Sequence, residues 1–268
     1  MTMMTGYYYY TPDEDPYYNM SFDDWMFEAV VKNLLDCPAL LRLYSWRKPA
    51  ITIGYNQDSS KIVDYTALEP GFPVIRRITG GRAIYHDPTE VTFSFATAFD
   101  MVPAKTRSLS GTNRLISETV VEILNAVGIK ACWARHSDPS YSGRGKGKVR
   151  SCFDSTARYE ILLDGEKIVG GAQRSEGSFL IHQSSIKING ISDFPVIGQV
   201  GRKTARSGSR GESGRVAPSD LRDEFCRVFS ERFNLDFQER SLASRQRQRL
   251  RIMTQKLAEN SLGKREFH

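Results

Sequence analysis

The sequence is short of several features, and each absence narrows what the protein can be. No run within its 268 residues approaches the roughly 18 to 20 consecutive apolar residues that span a bilayer, so neither a membrane-spanning helix nor a membrane partner is expected. The amino terminus, MTMMTGYYYYTPDEDPYY, lacks a basic stretch followed by an apolar one, and a cytoplasmic location is expected. Its four cysteines, Cys37, Cys132, Cys152 and Cys226, are scattered without CxxC spacing. That pattern argues for reduced thiols rather than a disulfide framework, and no metal is expected. There is no internal repeat, and with 40% hydrophobic and 25% charged residues neither disorder nor a fibre is indicated.

Positive charge is present but concentrated. Of the net +6, the segment GRKTARSGSRGESGR (201–215) supplies four Arg and one Lys against one Glu, leaving about +2 elsewhere. A Gly/Ser/Arg stretch cannot bury apolar surface and reads as a loop or linker, or as an arm for an acidic partner. No aromatic residue interleaves these arginines to stack on bases, so nucleic acid is not expected as a partner. A second basic stretch, SGRGKGK (142–148), reads as a loop that can greet an acidic protein.

The remaining chain has the pattern of an α+β domain. A helix is predicted in NMSFDDWMFEAVVKNLLD (19–36), followed by LLRLYSW and AITIGY as a hairpin around Arg47-Lys48-Pro49. Further extended pieces are FPVIRRIT, RAIYHD and EVTFSFAT, rich in β-branched and aromatic residues. LSGTNRLISETVVEILNAVGI reads as an amphipathic helix ending near Gly128, and KACWAR as a strand. A meander of RYEILLD, EKIVGGAQR and SFLIHQSSIKI turns at Asp164-Gly165 and at Glu176-Gly177. Two helices close the chain, in 217–234 and 242–262. The resulting boundaries are an N-terminal tail (1–18), a catalytic domain (19–189), a Gly/Ser/Arg-rich loop (190–217) and C-terminal helices that pack on the domain (218–268).

Two constellations carry chemistry. In RRITGGRAIYHD (76–87), Gly80 and Gly81 permit positive φ and close approach to the backbone, between Arg76, Arg77 and Arg82. This is either a plain Gly-Gly hairpin with surface arginines or a site for a carboxylate, phosphate or pantetheine-linked ligand. Arg76 and Arg77 should face opposite sides of a regular strand. In RSCFDSTARYEILLDGEKIVGGAQR, Cys152 precedes Lys167 by fifteen residues across a loop and a hairpin. A nearby ammonium lowers a thiol pKa from about 8.5 and yields the nucleophilic thiolate. The plain reading is a small buried cysteine and a solvated lysine.

Together, RRITGGRAIYHDPTEVTFSF, SCFDSTARYEILLDGEKIVGGAQR and IHQSSIKI resemble the lipoate-protein ligase superfamily, which also contains biotin protein ligases. Within it, residues from about Asn19 to Lys187 are most similar to the cysteine-dependent octanoyltransferases. The resemblance implies a central mixed or antiparallel sheet with flanking helices, a second small sheet and C-terminal helices. It implies that Cys152 takes an octanoyl group from acyl carrier protein, activated by Lys167, and passes it to a lysine of a lipoyl domain or glycine-cleavage H protein. The acyl and carrier pocket would then involve Arg76, Arg77, Gly80, Gly81, Arg82, Tyr85, His86, Gly170, Ala172 and His182, with Cys152 and Lys167 at the mouth of an apolar tunnel beside the glycine pair. A monomer without a cofactor is expected. ATP would enter only for the alternative, an ATP-dependent lipoate or octanoate ligase; an octanoyl amidotransferase or a non-catalytic carrier-binding relative are further alternatives. Arg82 and Thr89-Glu90 favour the transferases, because the ligases usually carry a third glycine and a G-N pair at these places. One departure stands out: Gln183 occupies a position where the resemblance implies glycine. His182 and His86 read either as proton shuttles or as hydrogen-bonded structural residues.

Overall fold

The computed structural model describes residues 3–133, 160–189 and 216–263. Cys152, the 142–148 loop and the 201–215 segment lie outside the described residues.

A six-stranded sheet runs through the centre. Its strands are β1 (Met4–Glu14), β2 (Ala39–Trp46), β6 (Val91–Ala98), β10 (Val169–Glu176), β11 (Phe179–Ile186) and β12 (Leu235–Glu239), in the order β10-β11-β6-β2-β1-β12. The first four are antiparallel neighbours, whereas β1 runs parallel to both β2 and β12, so the sheet is mixed. The expected N-terminal tail is thus corrected: residues 4–14 form an inner strand, and its tyrosines serve both faces. Tyr8 enters the core under helices α2 (Leu109–Ala126) and α3 (Pro218–Phe233), and Tyr9 the core under α1 (Pro16–Val31) and α4 (Ser244–Gly263). A tyrosine run with no apolar-polar alternation conceals a strand whose two faces are both covered.

Local chemistry sets the helix ends. Asp15 caps α1 by accepting from the Tyr17 amide at 2.9 Å, with Pro16 in the first turn. Ser108 caps α2 in the same way. At the far end of α3, Asn234 takes a left-handed conformation (φ 54°) and turns the chain into β12. The α2/α3 side is packed with aromatic rings, Phe93 and Phe95 of β6 against Phe225, Phe229 and Phe233.

Two small sheets flank the large one. In the first, β3 (Ala50–Ile53) lies between β4 (Val74–Arg76), which is parallel to it, and β5 (Ile84–His86), which is antiparallel. The hairpin expected around Arg47-Lys48-Pro49 does not form, because β2 is already paired on both edges, by β1 and β6, and β3 must join another sheet. The second small sheet is β7 (Cys132–Trp133), β8 (Ile161–Leu163) and β9 (Glu166–Lys167). Asp164 and Gly165 turn β8 into β9 with φ of 53° and 81°, the signature of a tight hairpin. The expected three-strand meander is divided at Ile168: β9 belongs to the small sheet and β10 to the large one. Among the described residues, no helix is long and apolar enough to cross a membrane.

Candidate functional site

Strand β10 forms one edge of the large sheet, and candidate site residues lie on both of its sides. On one side is the Gly80-Gly81 turn. It does not join paired strands, since β4 and β5 each pair with β3 and not with each other. Arg76 and Arg77 point apart, as strand geometry requires. Arg76 Nη1 donates to the carbonyls of Gly54 (3.0 Å), Tyr55 (2.7 Å) and Gln57 (2.7 Å). Arg77, only 4% exposed, donates to the carbonyls of Thr52 (3.2 Å), Gly80 (2.5 Å) and Arg82 (2.7 Å). Both guanidinium groups therefore hold loop carbonyls in place, which excludes a plain hairpin with surface arginines at this turn. Arg82 is exposed.

The glycines serve contact between backbones. Gly81 has φ +83°, and a Cβ added there would sit 2.9 Å from Arg77 Nη2 and 3.2 Å from Ala172 Cβ. At Gly54 a Cβ would lie 2.0 Å from the Gly81 carbonyl oxygen. The turn thus rests on β3 at one end and on Ala172 of β10 at the other.

Behind it lies a buried charged network. His86 Nδ1 meets Glu90 Oε1 at 2.6 Å, its Nε2 meets Thr52 Oγ1 at 2.7 Å, and its ring stacks on Trp46 with centroids 3.9 Å apart. Glu90 also accepts from Lys187 Nζ (2.7 Å) and Ser185 Oγ (2.9 Å). Burial opposes the charge on Glu90, but Lys187 and His86 outweigh it and hold the carboxyl down at about 2. For His86, burial prevails over the attraction of Glu90 and lowers the pKa. Both ring nitrogens and one face of His86 are thus occupied by protein groups. Tyr85 is half-buried, its ring 5.9 Å from Lys187 Nζ.

On the other side of β10, facing α2, a cavity of about 70 Å³ is lined by Lys167, Glu160, Gly171, His182 and Ser184. Lys167 Nζ donates to Glu160 Oε1 at 2.6 Å, with side chains 11% and 4% exposed. His182 Nε2 lies 2.6 Å from Ser184 Oγ, and its ring stacks on Phe93. Burial pushes its pKa down to about 3, so the imidazole is neutral at physiological pH. Its Nδ1 and Gln173 Nε2, on residues that pair across β10 and β11, are buried polar atoms without a hydrogen-bond partner among the described residues. At Gly171 a Cβ would lie 2.7 Å from Ser184 Oγ, so a side chain there would displace that hydroxyl.

Among the residues expected from the sequence, Lys167 and His182 come together at this cavity, while Gly81 and Ala172 meet on the opposite face of β10. Gly170, which pairs with Ser185, shares that opposite face by strand alternation. The expected meeting of Cys152 with Lys167 lies outside the described residues. Sequence reasoning missed Glu160, whose signal is a lone acid inside the apolar strand YEILL. It also missed the partners of Gln183: Thr79 Oγ1 donates to Gln183 Oε1 at 2.5 Å, and Gln183 Nε2 donates to Asp23 Oδ2 at 2.6 Å.

The model of the lipoyl protein ligase A/B catalytic domain matches residues 15–215. The chain belongs to this family. An octanoyltransferase LipM of Macrococcus caseolyticus is 31% identical over 220 residues, which is 80% of this chain and 78% of that protein. The LipM of Kyrpidia tusciae is 35% identical over 173 residues, 64% of this chain and 62% of that protein, so this lipoyl ligase family member matches less than two thirds of that relative. Among solved structures, lipoate-protein ligase A bound with ATP superposes with a TM-score of 0.68 at 19% identity, covering 96% of both chains. The ligase of an archaeal lipoylation system from Thermoplasma acidophilum superposes with a TM-score of 0.65 at 19% identity, covering 96% of this chain and 94% of that one. At these identities the structures establish the fold, and the mixed sheet with flanking helices expected from the sequence is the fold of this family.

Proposed function

We propose that the protein is an octanoyltransferase of protein lipoylation. The octanoyl group passes from acyl carrier protein to the thiol of Cys152, and from there to a lysine of a lipoyl domain or glycine-cleavage H protein. The observation that carries this reading is the likeness to LipM octanoyltransferases across most of the chain; the G-x-K-x-x-G-x-A-Q pattern in which Lys167 stands supports Lys167 as the activating lysine. The structure supports it by setting Lys167 in a buried ion pair at a cavity whose other polar groups, among the described residues, are neutral.

The chemistry needs no cofactor, since a thioester already carries an activated acyl group. The Cys152 thiolate attacks the thioester carbonyl, a tetrahedral oxyanion forms, and the carbon–sulfur bond to pantetheine breaks as its thiol takes a proton. The acceptor amine then attacks the enzyme thioester, and the Cys152 thiolate leaves. Lys167 stabilises that thiolate and moves the proton lost by the amine, while Glu160 orients Lys167. The test is transfer to a purified lipoyl domain from octanoyl carrier protein without ATP. Modified acceptor is the expected result; a requirement for ATP and free octanoate would replace this reading with a ligase.

A further inference from the structure

Helix α4 carries four Arg and one Lys against one Glu, a net charge of +4 in 20 residues. Taking this and the +4 of segment 201–215 from the chain's +6 leaves −2 for all other residues, so the excess positive charge among the described residues stands on this helix. A seam of Leu250, Met253 and Leu257 packs α4 against residues of α1. At 3.6 residues per turn, Arg247 and Arg251 emerge on one flank of that seam and Arg245, Arg249 and Lys256 on the other. Ile252, 49% exposed, lies between the two rows. Arg249 pairs with Glu28 at 2.6 Å, whereas the exposed Arg245, Arg251 and Lys256 form no ion pair among the described residues. Arg247 and Arg251 also border a cleft of about 460 Å³, together with Tyr17, Tyr18, Thr254 and Ala258.

The helix reaches the same end of the large sheet as Lys167. Leu257 and Ala258 pack against the cluster that contains Tyr44 and Trp46. Tyr44 shares one row across the sheet with Thr92, Ser185 and Gly170, and Gly170 follows Lys167 by three residues. At about 4.8 Å per strand that row spans about 14 Å. A lysine side chain presented at α4 cannot bridge this span, whereas the much longer pantetheine arm can. We propose that the exposed side of α4 is the docking surface for the donor, an acidic carrier protein whose carboxylates meet Arg245, Arg247, Arg251 and Lys256 and whose apolar contact is Ile252. Its pantetheine arm then reaches round the end of the sheet towards Lys167. The inference rests on the acyl-transfer reading above. Attraction between such exposed charges chiefly speeds encounter and is screened by salt.

The experiment compares KM and kcat of the full-length enzyme for octanoyl carrier protein and for octanoyl-pantetheine, which lacks the protein, with a purified lipoyl domain as acceptor. Wild type is set against Arg251→Glu/Lys256→Glu, with melting curves to show that each is folded. In the double variant KM for the carrier protein should rise about tenfold at low salt, and the gap should close as salt is raised. Its kcat, and both constants for octanoyl-pantetheine, should stay as in wild type. Arg251→Lys should match wild type, because the charge is kept, and Arg245→Glu serves if the double variant does not fold. An unchanged KM for the carrier protein in a folded, active variant overturns the inference alone. A rise confined to KM for the lipoyl domain overturns it too and gives the surface to the acceptor, as does loss of DNA binding without any change towards the carrier, which gives it to nucleic acid. Wild type inert towards both octanoyl donors overturns the transfer reading and this inference with it.

Discussion

The two sides of strand β10 use charge in opposite ways. On the turn side, Arg76 and Arg77 are bound to backbone carbonyls, and Glu90, Lys187 and His86 satisfy one another. Charge there is architecture. On the α2 side, the buried Lys167–Glu160 ion pair stands beside a neutral histidine and two polar atoms that find no partner among the described residues. Buried polar groups are almost always satisfied, and exceptions concentrate where a protein meets a ligand or performs chemistry. The more conspicuous cluster in the sequence is therefore the scaffold, and the less conspicuous one is the better candidate for the reacting centre.

Mutations can break or sharpen this contrast. Lys167→Met should have the largest effect, lowering acyl transfer by about 10²- to 10⁴-fold, the usual contribution of a positioned proton-transfer group, as read by steady-state turnover. Activity close to wild type would move the reacting centre elsewhere. Next, Arg77→Ala should cost about 3 to 5 kcal/mol in urea unfolding, because it leaves several buried carbonyls without donors. A loss well under 1 kcal/mol would mean that the turn is not braced as described.

A pH series tests the neutral histidine. The folded-state pKa of His182, at about 3, lies below the ordinary value of 6.5, so the unfolded chain binds the extra proton. Stability should fall as pH drops from about 6.5 towards 3 and be insensitive to this group above that window. His182→Gln should flatten the slope, and an unchanged slope would show that another group is responsible. The smallest effect is expected for Arg82→Ala, since its side chain is exposed: stability should shift by no more than about 0.5 kcal/mol, and any loss should appear in KM for the carrier at low salt.

Much of the architecture is legible in the sequence because it is local. The turn at Asp164-Gly165 and the periodicity of α2 are set by residues within a few positions of each other. What escapes is long-range pairing. Strand β1 is held between β2, more than 30 residues away, and β12, more than 220 residues away, and the separation of β2 from β3 depends on which edges are already occupied. The site follows the same division. Lys167 and His182, which the family resemblance implies for one pocket, line the same cavity, and Gln183 reads as a departure from the family motif. The bonds from Gln183 to Asp23 and Thr79 join three separate elements, and carbonyls that Arg76 and Arg77 hold, at Tyr55 and Thr52, lie more than 20 residues away.

The central claim is that Cys152 carries the acyl group as a thioester, and intact-mass spectrometry tests it most directly. After incubation with octanoyl carrier protein in the absence of ATP and acceptor, wild type should gain the mass of one octanoyl group and Cys152→Ala should gain none. An unmodified wild type, or an adduct that persists in Cys152→Ala, would contradict the account.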